Sequence, residues 1–340
     1  MIRRVLPLAV LLAVASCGGA TIVNNGDTDT EEDVVVDLPG GVGSNGDVER
    51  YEEQDDAGNG YAQSITYDSA SDTFSVDNLA FDGANTYTRS TAMANIGGSN
   101  PATGPFAVYE GPASQPDSVT GLPIGQFLHR AIYAQSSTGR TEFALVRTGS
   151  YVNYGFGGFV YRRNGQVVLP SSGQARYSGD YAGLVDFEGS GGILYSSGDM
   201  EMAIDFRDFN EGAGVRGEVT NRAFYDMNGN DVTAAYLAAL NSDLALAGAS
   251  GYTELPALVF HVGPGVMDAN GEISGNLSST VTDGAGEVLT HESGTFYGVL
   301  AGDGTAGTDE VVGVIVVTSD APGTNGSVTQ RETGGFILYR

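Results

Sequence analysis

The chain has 340 residues, room for two domains once a leader and a linker are set aside. Its 15 basic residues are all arginine and face 42 acids, a formal net charge of −27. Such a surface repels nucleic acid and anionic membranes, which excludes nucleic-acid binding as a function class. Glycine at 51 positions, with no collagen-like period, and 17 tyrosines point to strands and turns.

Arg3 and Arg4 precede an apolar run of ten residues, Val5–Val14. The run is too short to span a bilayer and has the length of a secretory h-region. It ends at Val14-Ala15-Ser16-Cys17-Gly18, which resembles the bacterial lipobox. That resemblance implies a signal peptide over 1–16, cut before Cys17, with Cys17 carrying the acyl chains (palmitate among them) as a membrane anchor. Gly18, in place of an acid, resembles lipoproteins sent to the outer membrane. A secretory signal that holds a chance cysteine is the alternative. Cys17 is the one cysteine, so no disulfide is available.

Residues 17–59 read as a lipidated acidic tether. Gly26–Asp33 and Asp47–Gly60 are acidic and nearly free of aliphatics, and self-repulsion extends such segments. Val34–Val36 is the one place there that could touch down on a folded surface. From 60 to 170 short strands alternate with turn residues. The strands expected are Tyr61–Tyr67, Thr73–Leu79, Asn85–Ser90, Pro105–Glu110, Phe127–Gln135, Thr141–Thr148 and Tyr151–Arg162. Asn164-Gly165, between Arg162 and Val167, predicts a tight hairpin.

Residues 171–340 continue in the same way. Tyr177, Gly179, Tyr181 and Gly183 share one strand face, and glycine in a strand marks a bend or a close approach. Met200, Met202, Ile204 and Phe206 alternate with more polar neighbours, as in a half-buried strand. One helix is expected over Val232–Leu246, with Asp231 as its N-cap. About eight strands follow Gly173, enough for a barrel filled by side chains. Phe336–Arg340 ends the chain on a strand suited to close against the first. The fold class is therefore all-β: a small antiparallel β-domain, then an approximately eight-stranded barrel with one helical insertion. No strand set carries a lipid-facing band.

Ala175–Gly183 (ARYSGDYAG), Ala203–Phe206 (AIDF) and Val215–Gly217 (VRG) look like the start of the barrel domain of transferrin-binding protein B-like lipoproteins. Gly294–Gly298 (GTFYG), with Ala301, Glu310, Gly313 and Val314, resembles that family's closing signature. The glycine-rich insert Gly302–Asp309 interrupts the signature, and Val312 stands in place of one of its paired glycines. The resemblance implies a single handle-plus-barrel lobe on a lipid anchor, with 60–170 as the handle and 171–340 as the barrel. It also implies an extracellular iron- or haem-containing protein, or another partner, held at the cell surface through variable loops. No contact residue transfers.

Other motifs weigh little. Gly41–Gly46 and Gly302–Gly307 both match GxGxxG, but neither leads into a helix, as a dinucleotide site requires. Asp226–Asp231 looks like half a calcium loop, but Leu237 stands where the closing Glu is needed, so a turn before the helix is favoured. His129, His261 and His291 lack metal-ligand spacing. No nucleophile elbow is present, and no catalytic constellation rises above chance. The reading is a non-enzymatic outer-membrane lipoprotein, without cofactor or metal, that recognises its partner through loops near 92–124 and 225–256. A structural envelope lipoprotein, or a haem or metal scavenger using His or Tyr, are the alternatives.

Overall fold

The computed structural model describes residues 36–56, 60–77, 79–149, 153–209, 212–246, 248, 251–263, 266–305 and 307–340. The signal sequence and Cys17 lie outside these residues. The first half forms strands β1 (Gly40–Val42), β2 (Val48–Tyr51), β3 (Ile65–Asp68), β4 (Thr73–Val76), β5 (Thr86–Arg89), β6 (Asn95–Ile96) and β7 (Phe106–Glu110). Then come β8 (Ser114–Pro116), β9 (Pro123–Gly125), β10 (Arg130–Gln135), β11 (Thr141–Arg147) and β12 (Gly157–Arg163). Ten of these make one antiparallel sheet in the order β1-β2-β12-β11-β10-β7-β5-β4-β3, with β6 on β7. Among the described residues, β8 and β9 pair only with each other.

The second half closes a barrel from β13 (Gln174–Phe187), β14 (Ser190–Phe209), β15 (Gly212–Tyr225), β16 (Leu258–Phe260), β17 (Glu272–Thr282), β18 (Val288–Ala301), β19 (Glu310–Asp320) and β20 (Thr329–Tyr339). The all-β class holds, and the last strand does pair with the first, from Ser178 opposite Tyr339 to Phe187 opposite Gln330.

The pleat divides the barrel strands between two cores. On β19, Val311, Ile315 and Val317 join Tyr177, Phe296 and Phe336 in the lumen. Val312 and Val314 point out and pack with Phe143, Leu145 and Phe159 of the ten-stranded sheet. Sheet and barrel belong to one unit, Asp33–Arg340. Adjacent glycines make both packings possible. A Cβ on Gly334 would collide with the Tyr181 ring in the lumen, and one on Gly335 with the Phe143 ring outside. Tyr177 and Tyr181 share one face, as their spacing predicts, and that face is buried in the lumen.

Three expectations change. The stretch read as a tether to residue 59 already contains β1 and β2, because its charges are partnered. Glu49 meets Arg162 at 3.2 Å, Glu52 meets Arg147 at 2.7 Å, and Arg50 grips Glu272 of β17 through two bonds of 2.7 and 3.0 Å. Asn164-Gly165 closes no hairpin. β12 pairs with β11 and β2, and the turn instead leads the chain to Val167, which bridges to Gly302 beside the barrel. The helix, α1, runs Thr233–Asp243, and its capping residue is Val232. Asp231 accepts the Thr233 N–H at 2.8 Å, so it closes the preceding turn instead. Val36 does meet the folded surface, where its carbonyl accepts the Ser274 hydroxyl at 2.8 Å.

α1 packs on Val185, Phe224 and Leu255 through Leu237. Nearby, Arg222 of β15 donates to Glu292 of β18 at 2.8 and 2.7 Å and to Glu332 of β20 at 2.6 Å. These three strands are not neighbours, so the cluster crosses the lumen. Tyr181 donates to Glu332 at 2.7 Å and Ser279 to Glu292 at 2.6 Å. Burial acts to raise the Glu292 carboxyl, but Arg222 outweighs it and holds Glu292 below the usual carboxylate range. Arg222→Met leaves two buried carboxylates without a cation and is expected to cost about 3–5 kcal/mol in urea unfolding. Replacing Arg222, Glu292 and Glu332 together by apolar residues should recover most of that loss.

Candidate functional site

The segment between β7 and β10 carries the candidate site. Gly111 donates to the His129 carbonyl at 3.0 Å, which ties the two stems of this segment together. Beyond that tie the chain runs out as the β8–β9 hairpin, with Ser114 opposite Gly125 and Pro116 opposite Pro123. The prolines interrupt ladder donors on both strands, so the hairpin stays out of the main sheet. A Cβ placed on Gly121 or Gly125 would meet nothing within 4 Å, so both glycines border open space.

Asp117 fixes the tip. Its Oδ1 accepts the Val119 and Thr120 amides at 2.9 and 2.6 Å and the Thr120 hydroxyl at 2.9 Å. Its own amide donates to the Leu122 carbonyl at 2.7 Å, and Gly121, at φ +70°, donates back to the Asp117 carbonyl at 2.9 Å. These hydrogen bonds, those from Thr120 foremost, hold the Asp117 carboxyl below its ordinary range. The ordered tip displays Val119, 90% exposed, and Leu122, 65% exposed, with Ile124 partly exposed behind them.

The base of the arm is aromatic. Phe127 donates its amide to the Phe81 carbonyl at 2.9 Å, and the two rings meet edge to face at 5.4 Å. Gly83, at φ +72°, lies where a Cβ would strike Pro112, so only glycine lets this turn pack under the arm. Phe81 and Leu128 are exposed there. The arm and its base thus present apolar side chains in an otherwise acidic molecule, and such exposure marks interaction surfaces.

The proline-rich tract expected near 92–124 as a recognition loop therefore contains the arm. The tract near 225–256 instead forms a turn and α1, which packs on the barrel. Asp226 spends its carboxylate within that turn, on the Asn228 and Asn230 amides at 2.8 and 2.9 Å. The individual arm residues Val119, Leu122 and Ile124 were not singled out in the sequence. The available signal was apolar residues set between Pro116 and Pro123 with a turn-forming Asp-Ser and a Gly.

The structure keeps the three histidines apart. His129 is buried at the root of the arm, its ring 5.9 Å from Tyr87. His261 sits on the barrel wall, 2.7 Å from the Ser278 hydroxyl. His291 lies on β18, beside Glu292. Among the described residues no group of three or more His, Cys, Asp or Glu is placed to hold a metal ion. No described helix is long and apolar enough to cross a membrane.

No model of a protein family matches the sequence, and no curated protein matches it. Solved structures do. A double mutant of transferrin binding protein B (TbpB) from Haemophilus parasuis Hp5 aligns over 82% of this chain and 46% of its own, at 12% identity and a TM-score of 0.33. A single mutant of the same antigen aligns over 78% and 44%, at 12% identity and a TM-score of 0.34. Intact Ap-TbpB, with N and C lobes, aligns over 78% and 44%, at 10% identity and a TM-score of 0.31. The chain spans less than half the length of these structures.

His129 gives this region a pH dependence. Burial pushes its imidazole down from 6.5 to about 4. A depressed histidine favours the folded state fully above about 6.5, where both states are neutral at this group. Stability then falls as pH drops toward about 4, because only the unfolded chain takes up the proton. The loss is on the order of 1–3 kcal/mol. Melting temperatures between pH 7 and 4.5 should fall less steeply for His129→Gln than for the parent, and equal slopes would contradict this assignment.

Proposed function

We propose that this chain is a lipoprotein, anchored in the outer membrane through Cys17 and displayed at the cell surface, that binds a protein partner through the β8–β9 arm and neighbouring loops. The observation that carries the reading is the arm itself: exposed valine and leucine on a tip ordered by Asp117. Exposed apolar groups gain free energy when covered, and an ordered tip spends little conformational entropy on binding. A projecting arm fits a cleft in a macromolecule, whereas small-ligand sites are concave. The net charge of −27 favours a partner with a basic rim around that cleft. The sequence resemblance to transferrin-binding protein B-like lipoproteins makes extracellular iron- or haem-carrying proteins the first partners to test. The reading is of binding and not of catalysis.

Captured transferrin and haemoglobin are suitable probes for the full chain. Val119→Asp combined with Leu122→Asp should weaken binding by about 30-fold or more, the loss of a hot-spot contact, with the melting temperature unchanged because both side chains are exposed. Binding that survives the double substitution removes the arm from the interface. Absence of any partner across iron and haem proteins would favour a structural envelope role. Separately, Cys17→Ser should move the protein from the membrane to the soluble fraction and abolish incorporation of labelled palmitate. Protease treatment of intact cells should remove the folded part, and cutting only after lysis would place it in the periplasm.

A further inference from the structure

Asparagine followed by glycine is the pair at which a backbone most readily closes on its own side chain, because glycine has no Cβ to block the approach of its amide nitrogen. The sequence holds seven such pairs. Five of them, at Asn45, Asn164, Asn228, Asn270 and Asn325, lie wholly within the described residues.

The fold ties down four of the five attacking amides. Gly46 donates to the Ser44 hydroxyl at 3.1 Å and Gly165 to the Asp47 carboxylate at 2.7 Å. Gly229 donates to the Asp226 carbonyl at 3.0 Å and Gly271 to the Asp268 carbonyl at 3.1 Å. Gly326 differs. Among the described residues its amide donates to no acceptor, and the Asn325 side chain has no hydrogen-bond partner. This pair sits in the turn between β19 and β20, and both residues are exposed. Asn325 at φ +52° and Gly326 at φ +71° are the central residues of a turn closed on the Thr324 carbonyl. The Ser327 amide reaches that oxygen at 3.2 Å and the Ser327 hydroxyl at 2.7 Å. The turn thus hangs on one acceptor and opens locally, with the Gly326 amide outside its own hydrogen bonds.

We propose that Asn325 is a self-modifying site, converted without an enzyme to aspartate and isoaspartate, and that the change loosens this turn from α1. The Gly326 nitrogen bonds to Asn325 Cγ as the Cγ–Nδ2 bond breaks, and ammonia leaves with the proton that Gly326 gives up. The resulting succinimide takes up one water. Opening at Cγ gives aspartate, and opening at the Asn325 backbone carbonyl gives isoaspartate. No redox partner is needed.

The product adds a carboxylate where two already stand. Asp243 of α1 accepts the Gly323 amide at 2.6 Å, a tie between helix and turn. Asp320 lies against Gly326, where a Cβ would be 3.3 Å from its Oδ2. Asn325 lines one pocket of about 310 Å³ with both acids and with His291. Burial holds the His291 imidazole below its ordinary range, so it supplies no compensating cation at neutral pH. Repulsion among the carboxylates works against the Asp243–Gly323 tie, as does the extra backbone methylene of isoaspartate.

The test is peptide mapping of the full chain by mass spectrometry after storage in warm, mildly alkaline buffer, which favours loss of the attacking amide's proton. In the folded chain Asn325 should convert about tenfold or more faster than Asn45, Asn164, Asn228 and Asn270, the equivalent of one hydrogen bond that those sites must first break. In urea the five should convert at similar rates, because the ranking belongs to the fold. Asn325→Asp, which installs the product, should speed hydrogen exchange of the Gly323 amide by about threefold or more. Any of the other four converting as fast as Asn325 in the folded chain, or the same ranking in urea, would overturn the site. Unchanged exchange at Gly323 would overturn the loosening.

Discussion

Arg163 shows the constraint on which the two-part build depends. Its guanidinium is buried between sheet and barrel and donates to the carbonyls of Gly46 at 2.9 and 2.7 Å, Asn270 at 2.6 Å and Leu300 at 2.8 Å, and to that of Ser44. Those carbonyls come from the loop before β2 and from two separate parts of the barrel. Without a fork of donors at this point, several backbone acceptors would be buried without partners, each a substantial penalty. A lysine could not reach them all in one plane. At the opposite end of the β11–β12 pair, Asp186 holds Arg331 through bonds of 3.1 and 2.6 Å, and Arg147 reaches the Thr333 hydroxyl at 2.6 Å as well as Glu52. The seam is apolar along its length and ionic at these points.

That arrangement changes the meaning of the composition. An acidic chain with few arginines looks like one whose cations are incidental. Instead, the arginines occupy the places where the chain must join itself, in the lumen through Arg222 and across the seam through Arg50, Arg147, Arg163 and Arg331. The surplus of acid is left on the outside, where it is hydrated. Apolar exposure on the arm stands out against this background.

Much of the fold was legible because strand periodicity and turn residues are local. Tyr177 and Tyr181 share a face by their spacing, and Met200 to Phe206 alternate as a half-buried strand; the fold turns both sets into the lumen. What was not legible depended on partners distant in sequence. The charges of Asp47–Glu52 read as a solvated tether because nothing nearby in sequence shows that Arg147 and Arg162 wait for its glutamates and Glu272 for Arg50. Asn164-Gly165 carries the chemistry of a hairpin turn, but the strand beside β12 on that side is β2, which comes from far earlier in the chain. The arm was legible as a proline-rich tract and not as a set of residues, since only the fold shows which of its side chains remain uncovered.

The closure of β20 on β13 also sets the order in which the molecule can be made. Ser178 meets Tyr339 across this joint, and Glu332, which completes the ion cluster in the lumen, arrives on the same final strand. Until the C-terminal strand is available, β13 has a bare edge and Arg222 lacks one of its two carboxylates. Contacts of such long sequence separation form late and slowly. A chain that emerges from its N-terminus would therefore keep its barrel open until β20 has emerged.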